Sequence, residues 1–280
     1  MIKSTTLKRL LAGAAVAAAV VVAGPALAKD KLRICASTKE APYSAADGSG
    51  FENRIAARLA VAMDREPEFV YTDKFAIYIV GEFLDAKKCD VVMGADVGDE
   101  RMLTTAPIYR TGYVYVSRED KNFTGASWNS IADTDYGRFA IRFYTPAEVM
   151  LKYAGKWEDN AAYLYGLINF KSRRNQYNQV AADQLVSEVA NGGADLAIAF
   201  APDVARYVKS SPVPLRMTMI EDEIVRSDGK TIPLQYDQAI GVRKDDRALL
   251  DEISAALPKI RGDIDAILTE EGIPLLPPSS

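Results

Sequence analysis

Histidine is absent from the 280 residues. That gap removes the commonest general base, the serine–histidine and cysteine–histidine nucleophile arrangements, and the commonest transition-metal ligand. No G-x-S-x-G, phosphate loop, H-E-x-x-H or D-x-D-x-D-G calcium loop occurs either. Gly48-Ser49-Gly50 lies between a strand-like and a helix-like run, but it is not the G-x-G-x-x-G dinucleotide fingerprint. What remains for carboxylate chemistry is adjacent acids such as Asp99-Glu100 and Glu221-Asp222. In a chain with 38 acidic residues, such pairs read more simply as solvated loop charges. The expectation is a protein that is not an enzyme and holds no metal and no cofactor.

Long apolar runs are lacking as well, outside the first 28 residues. There Lys3, Lys8 and Arg9 precede a small apolar run over residues 10–22, and Ala26-Leu27-Ala28 forms an A-x-A cleavage pattern. This reads as a secretory signal peptide, too short in its apolar part for a membrane span. No cysteine follows the cleavage pattern to take a lipid, so a soluble periplasmic protein beginning at Lys29 is expected, without a membrane anchor. Loss of the three basic residues takes the formal charge from -4 to -7. A negative balance of that size argues against nucleic acid or an anionic membrane as the main partner and leaves a basic one permitted.

Cysteine is nearly absent: Cys35 and Cys89 are the only two. In an oxidising compartment a pair suggests a disulfide. The offset is an objection, because Cys35 falls late in one strand-like run and Cys89 at the start of another. Two buried thiols are the alternative.

The chain is organised around residues 89–117, CDVVMGADVGDERMLTTAPIYRTGYVYVS. An apolar run at Val91-Val92-Met93 is ended by Gly94, and a polar loop carries Asp99, Glu100 and Arg101. A second strand-like run follows at residues 113–116. A buried strand, a loop at its carboxyl end and a strand leading away suit a crossover between two α/β lobes. Ligands of open α/β sheets sit outside the carboxyl ends of strands, so residues 96–105 are a candidate site wall. An ordinary solvated loop fits the same residues.

Before this stretch, residues 31–36 read as a buried strand. Phe51, Ile55, Leu59 and Met63 place one apolar face on a helix over residues 51–63. A strand over 68–71 and a second helix over 77–84 complete β-α-β-α-β, from which a parallel sheet follows. After it, residues 127–131 suggest a short helix and 138–143 a strand. Thr145-Pro146 suggests an N-cap with proline at the first helical position. Residues 183–190 form a helix ended by Gly192-Gly193, 194–200 a buried strand leading to a helix, and 215–220 another strand. Residues 235–242 form a strand that returns to the first lobe. Residues 247–267 are helical, broken near Pro258 and Gly262. The lobes are expected at 29–116 plus 240–280 and at 117–239. An aromatic and basic insert over residues 155–179 carries Trp157, Tyr163, Lys171, Arg173, Arg174 and Tyr177. It suits a partner surface, and aromatics at helical spacing suit a core equally.

Several stretches resemble the type II periplasmic solute-binding proteins. LRICAS, APYS and GSGFENRIAARLA resemble that family's first strand, aromatic loop and first helix. CDVVMGADVGDERMLTTAPIYRTGYVYV resembles its strand, T-x-E-R loop and hinge strand. GGADLAIAFAPDVARYV and QAIGVRKDDRALLDEISAAL resemble its late second-lobe strand and its return hinge with the C-terminal helix. The resemblance implies a two-lobed α/β fold, each lobe a mixed, mostly parallel sheet flanked by helices, with a cleft between the lobes. IRFYTPAEVMLKY and INFKSRRNQYNQV narrow it to the branch found beside PQQ-dependent methanol dehydrogenase in methylotrophic bacteria. It implies a non-enzymatic accessory protein that assists maturation or activation of that dehydrogenase by binding it; a receptor for a small solute other than a typical amino acid is the alternative.

The departures from the family matter. Its amino-acid binders hold the ligand carboxylate with the arginine of the T-x-E-R loop. Arg101 in GDER is the match, without the threonine. The aspartate that takes the ligand's amino group is replaced by Phe200. An altered, more apolar cleft is expected, lined by Tyr43, Arg101, Arg142, Phe143, Tyr144, Phe200 and Pro202, each at or just past a strand's carboxyl end.

Overall fold

The computed structural model describes residues 29–168, 179–277 and Ser279. The leader read at 1–28, and Lys171, Arg173, Arg174 and Tyr177 of the insert, lie outside the described residues.

The first lobe begins β1 (Lys31–Ser37), α1 (Phe51–Ala62), β2 (Glu66–Thr72), β3 (Val91–Asp96) and the short β4 (Leu103–Thr104). Phe51, Ile55 and Leu59 of α1 are fully buried, as their spacing requires. Strands β1, β2 and β3 pair in parallel, with β1 central. The segment expected as a second helix is instead a 3₁₀ turn at Ala76–Tyr78 followed by a π-helical turn at Val80–Leu84.

The long β5 (Tyr109–Arg118) carries the chain into the second lobe. There follow β6 (Phe139–Ile141), α2 (Pro146–Tyr153), α3 (Trp157–Leu167), α4 (Ala182–Ala190), β7 (Leu196–Phe200), α5 (Ala201–Lys209) and β8 (Leu215–Met219). A small hairpin of β9 (Ile224–Val225) and β10 (Thr231–Ile232) precedes the returning strand β11 (Gln235–Val242). Helices α6 (Arg247–Ala256) and α7 (Arg261–Glu271) close the first lobe. The break between them falls at Pro258 in a 3₁₀ turn, and Gly262 lies inside α7. Residues 127–131 form turns rather than a helix: Asp222 accepts from the Trp128 N–H at 2.7 Å and from Ser127 Oγ at 2.5 Å, which fixes the chain there.

One continuous sheet runs β2-β1-β3-β11-β5-β7-β6. The two long strands are shared. Residues 109–112 of β5 pair with β11, and 113–118 pair with β7 and β8. All of these pairings are antiparallel, while β6 and β7 run parallel. Two cores result. One gathers on Tyr115, Phe139, Ile141 and Met150, the other on Leu32, Ile34, Phe51 and Ile253. Ala205 of α5 is buried in the first lobe's core, so the second lobe leans on the first behind the cleft.

Cys35 and Cys89 form a disulfide with Cα atoms 5.3 Å apart. The offset objection fails because Cys89 lies in the bend before β3, outside the strand register. Among the described residues no helix is long and apolar enough to cross a membrane, and no group of three or more Cys, Asp or Glu could hold a metal ion.

Candidate functional site

Between the lobes lies a cavity of about 530 Å³, a size suited to a small ligand or a short segment of chain. Its first-lobe wall is the loop after β1, the start of α1, the 3₁₀ and π turns, and the end of β3 with its following loop. Its second-lobe wall comes from β5, the loop after β6, and the β7–α5 junction.

The loop after β1 is fixed from within. Asn53, buried at the start of α1, accepts from the Ala45 N–H at 2.9 Å and donates to Ser44 Oγ at 3.2 Å. Gly50 is demanded by close approach: a Cβ there would stand 2.2 Å from the Tyr43 carbonyl oxygen. Tyr43 is thereby held over Phe51, ring centroids 5.1 Å apart.

The wall at β3 departs from expectation. Gly94 does not end the strand. It takes φ +65° within it, and one extra residue on β3 opposite Ala239–Gly241 makes a bulge. The strand continues to Asp96, which accepts from Gln238 Nε2 at 2.6 Å and faces the cavity. A Cβ on Gly94 would meet Glu52 Oε1 at 2.1 Å, so the Glu52 carboxyl rests against this glycine. Burial, with Glu40 nearby, pushes the Glu52 carboxyl up to about 8.

The structure brings Tyr43, Arg101, Arg142, Tyr144 and Phe200 together on the cavity. Phe143 and Pro202 do not reach it. Phe143 turns into the second lobe's core, stacked on Tyr165 at 5.4 Å and edge-on to Trp157 at 6.5 Å. Pro202 is buried in the first turn of α5. Of the insert, Trp157 is half-buried against the same core, and the Tyr163 hydroxyl donates to Glu188 at 2.9 Å.

Both arginines are already engaged. Arg101 is exposed, not buried, and forks onto Asp99 of its own loop, Nε to Oδ1 at 3.0 Å and Nη2 to Oδ2 at 2.6 Å. Hydrogen bonding to Arg101 holds the Asp99 carboxyl below its ordinary range. Arg142 is largely buried and donates to Asp203 at 3.1 Å and to Glu40 at 3.4 Å. Burial disfavours its charge, but Asp203 and Glu40 outweigh that and raise its pKa. Phe200, where amino-acid binders carry aspartate, joins Tyr113 at 5.6 Å and Tyr236 at 5.8 Å in an aromatic trio. The mouth of the cavity carries two exposed apolar groups on opposite lobes, Ile77 at 67% and Tyr144 at 70% exposure. Tyr144 is held at φ +60°, a left-handed conformation that costs an aromatic residue of the order of 1 kcal/mol.

The cleft is therefore not simply more apolar. Asp96, Asp99 and Arg101 of the expected wall at residues 96–105 line the cavity, whereas sequence reasoning missed three further carboxylates: Glu40 in the aromatic loop, Glu52 in the first turn of α1, and Asp203 one helical turn past Phe200. Acidic residues in the first turn of helices that follow strand ends were the available signal for Glu52 and Asp203. An anion finds both arginines taken, and of these carboxylates Glu40 and Asp203 are already held by Arg142.

Comparison with known proteins agrees with this architecture. Protein MoxJ of Paracoccus denitrificans is 53% identical over 264 residues, covering 94% of this chain and 96% of that protein. The crystal structure of MxaJ from Methlophaga aminisulfidivorans MPT is 49% identical, with a TM-score of 0.82, covering 88% of this chain and 100% of that one. The periplasmic binding protein XoxJ from Methylobacterium extorquens AM1 shares the fold at 23% identity and a TM-score of 0.64, covering 88% of this chain and 99% of that one. Residues 32–270 match the bacterial extracellular solute-binding proteins, family 3, and with that span and these relatives the chain belongs to that family.

Proposed function

We propose that this chain is a non-enzymatic periplasmic accessory protein of a methanol oxidation system. In this reading it binds a PQQ-dependent methanol dehydrogenase during maturation or activation and receives a segment of that enzyme at its cleft. The observation that carries the reading is the state of the two cleft arginines. Arg101 and Arg142 are satisfied by the chain's own Asp99, Asp203 and Glu40, and Phe200 stands where amino-acid binders place aspartate. A free amino acid finds neither its carboxylate partner nor its ammonium partner, while exposed Ile77 and Tyr144 offer apolar contact to a larger partner. Its sequence kinship with proteins named MoxJ and MxaJ supports the same assignment.

Native mass spectrometry of the mature chain with apo and PQQ-loaded methanol dehydrogenase tests this. A complex with the apo enzyme that is lost on cofactor loading is the expected result. No complex with either form at low salt and tens of micromolar would falsify it. The size of the cavity favours a second reading, a receptor for a small solute that is not a zwitterionic amino acid. A receptor gains thermal stability with its solute as RT ln(1 + [L]/Kd); an accessory protein responds to its protein partner alone.

A further inference from the structure

Two acidic side chains from opposite lobes converge on one cation inside the cleft. Glu40 belongs to the loop after β1 and Asp203 to α5. Each meets a polar group of the first lobe. The Ala76 N–H donates to Glu40 Oε1 at 2.9 Å, leaving Oε2 toward Arg142, and the Tyr43 hydroxyl favours the charged form of the Asp203 carboxyl. The planar fork of Arg142 fills the space between them, one Nη on each carboxylate. Two oriented carboxylates around a guanidinium form the arrangement that recognises such a group in a ligand.

We infer that the cleft contains a guanidinium-binding site spanning both lobes, and that its resident ligand is the chain's own Arg142. The arginine does what a solute does in a closing receptor: it joins the lobes by bonding to both. Closure then needs no solute. Removing the Arg142 side chain leaves Glu40 and Asp203 facing each other across the cleft, two like charges that favour the open state. It also leaves a vacant site whose chemistry specifies the ligand class, a small guanidinium or amidinium cation. The tethered arginine competes with any free cation at an effective concentration of the order of millimolar, so the unaltered chain resists such compounds. This inference concerns how the cleft closes and stands whether or not a dehydrogenase is the partner.

The test uses Arg142→Ala with methylguanidinium chloride as the probe and tetramethylammonium chloride as the salt control. Small-angle scattering and thermal unfolding are measured on both proteins. R142A is expected to have a larger radius of gyration than the parent. Methylguanidinium at millimolar concentration should contract it again and raise its Tm with the logarithm of concentration, binding about tenfold or more tighter than to the parent chain. A folded R142A that is as compact as the parent, or that ignores methylguanidinium, overturns the inference. Should R142A fail to fold, Glu40→Ala removes the Arg142 bond between the lobes, together with the bond from the Ala76 N–H inside the first lobe, and keeps the Arg142–Asp203 pair. Expansion of a folded E40A supports the inference, and an unchanged radius overturns it.

Discussion

At the scale of single residues, the contact between Glu52 and Gly94 has the clearest consequences. Burial raises the Glu52 carboxyl from 4.5 to about 8, with Glu40 adding to the shift. Between those values the native state keeps a proton that the unfolded chain has released. The contribution of Glu52 to stability is therefore fullest below 4.5 and is lost as pH rises through about 8. Partial exposure of the side chain limits the effect to a few kcal/mol at most. Glu52→Gln removes the titration and keeps a polar group. Its Tm should exceed the parent's at pH 8.5 and lie close to it at pH 5; a difference independent of pH would contradict the assignment. Gly94→Ala attacks the same contact from the other side. It asks alanine to hold φ +65° and places a Cβ on the Glu52 oxygen. A loss of about 1–2 kcal/mol in urea unfolding is expected.

At the scale of elements, what was legible in the sequence was what burial alone determines. The Phe51, Ile55 and Leu59 stripe, the β7–α5 junction and the returning strand β11 show in the pattern because each buries a continuous apolar face. Gly94 misled because glycine punctuates most strands, whereas here its left-handed freedom builds a bulge that carries β3 on to Asp96. Phe143 misled because direction past a strand end depends on which core is nearer, and the rings of Trp157 and Tyr165 draw it inward. Asp96 and Asp99 were legible within the wall at residues 96–105 and Glu52 and Asp203 had a first-turn signal, but Glu40 was illegible because its partner Arg142 lies far along the chain. The disulfide was legible from composition and not from register. It ties β1 to the bend before β3 across 54 residues of chain, and Cys35 borders the cavity. Replacing both cysteines by serine should cost about 2–4 kcal/mol. Faster amide exchange is expected in the enclosed segment, above all in the irregular turns over residues 76–84. Unchanged exchange there, with stability retained, would show that the bridge constrains nothing near the cleft.

At the scale of the molecule, the lobes are held at two places on either side of the shared strands β5 and β11. In the cleft, Arg142 joins Asp203 to Glu40. Behind it, the buried carboxylate of Glu271 in α7 receives Arg206 of α5 at 2.7 and 2.8 Å and Arg54 of α1 at 3.3 Å. Arg206 also reaches the Ser49 carbonyl at 3.0 Å, and Ala205 is sealed in the first lobe's core. A rotation that opens the cleft about β5 and β11 has to shift this rear seam as well, so the two clusters restrain one motion. Removing one restraint leaves the other in place, and their effects on opening should not add. Glu271→Gln alone should lower stability by about 2 kcal/mol, because two arginines lose a buried charged partner. It should leave the radius of gyration unchanged while Arg142 still bridges the lobes. Combined with Arg142→Ala, it should expand the molecule more than the sum of the two single changes, measured by small-angle scattering under one salt condition. If the double variant expands no further than R142A alone, α5 moves freely over α7 and the rear seam serves stability without governing the cleft.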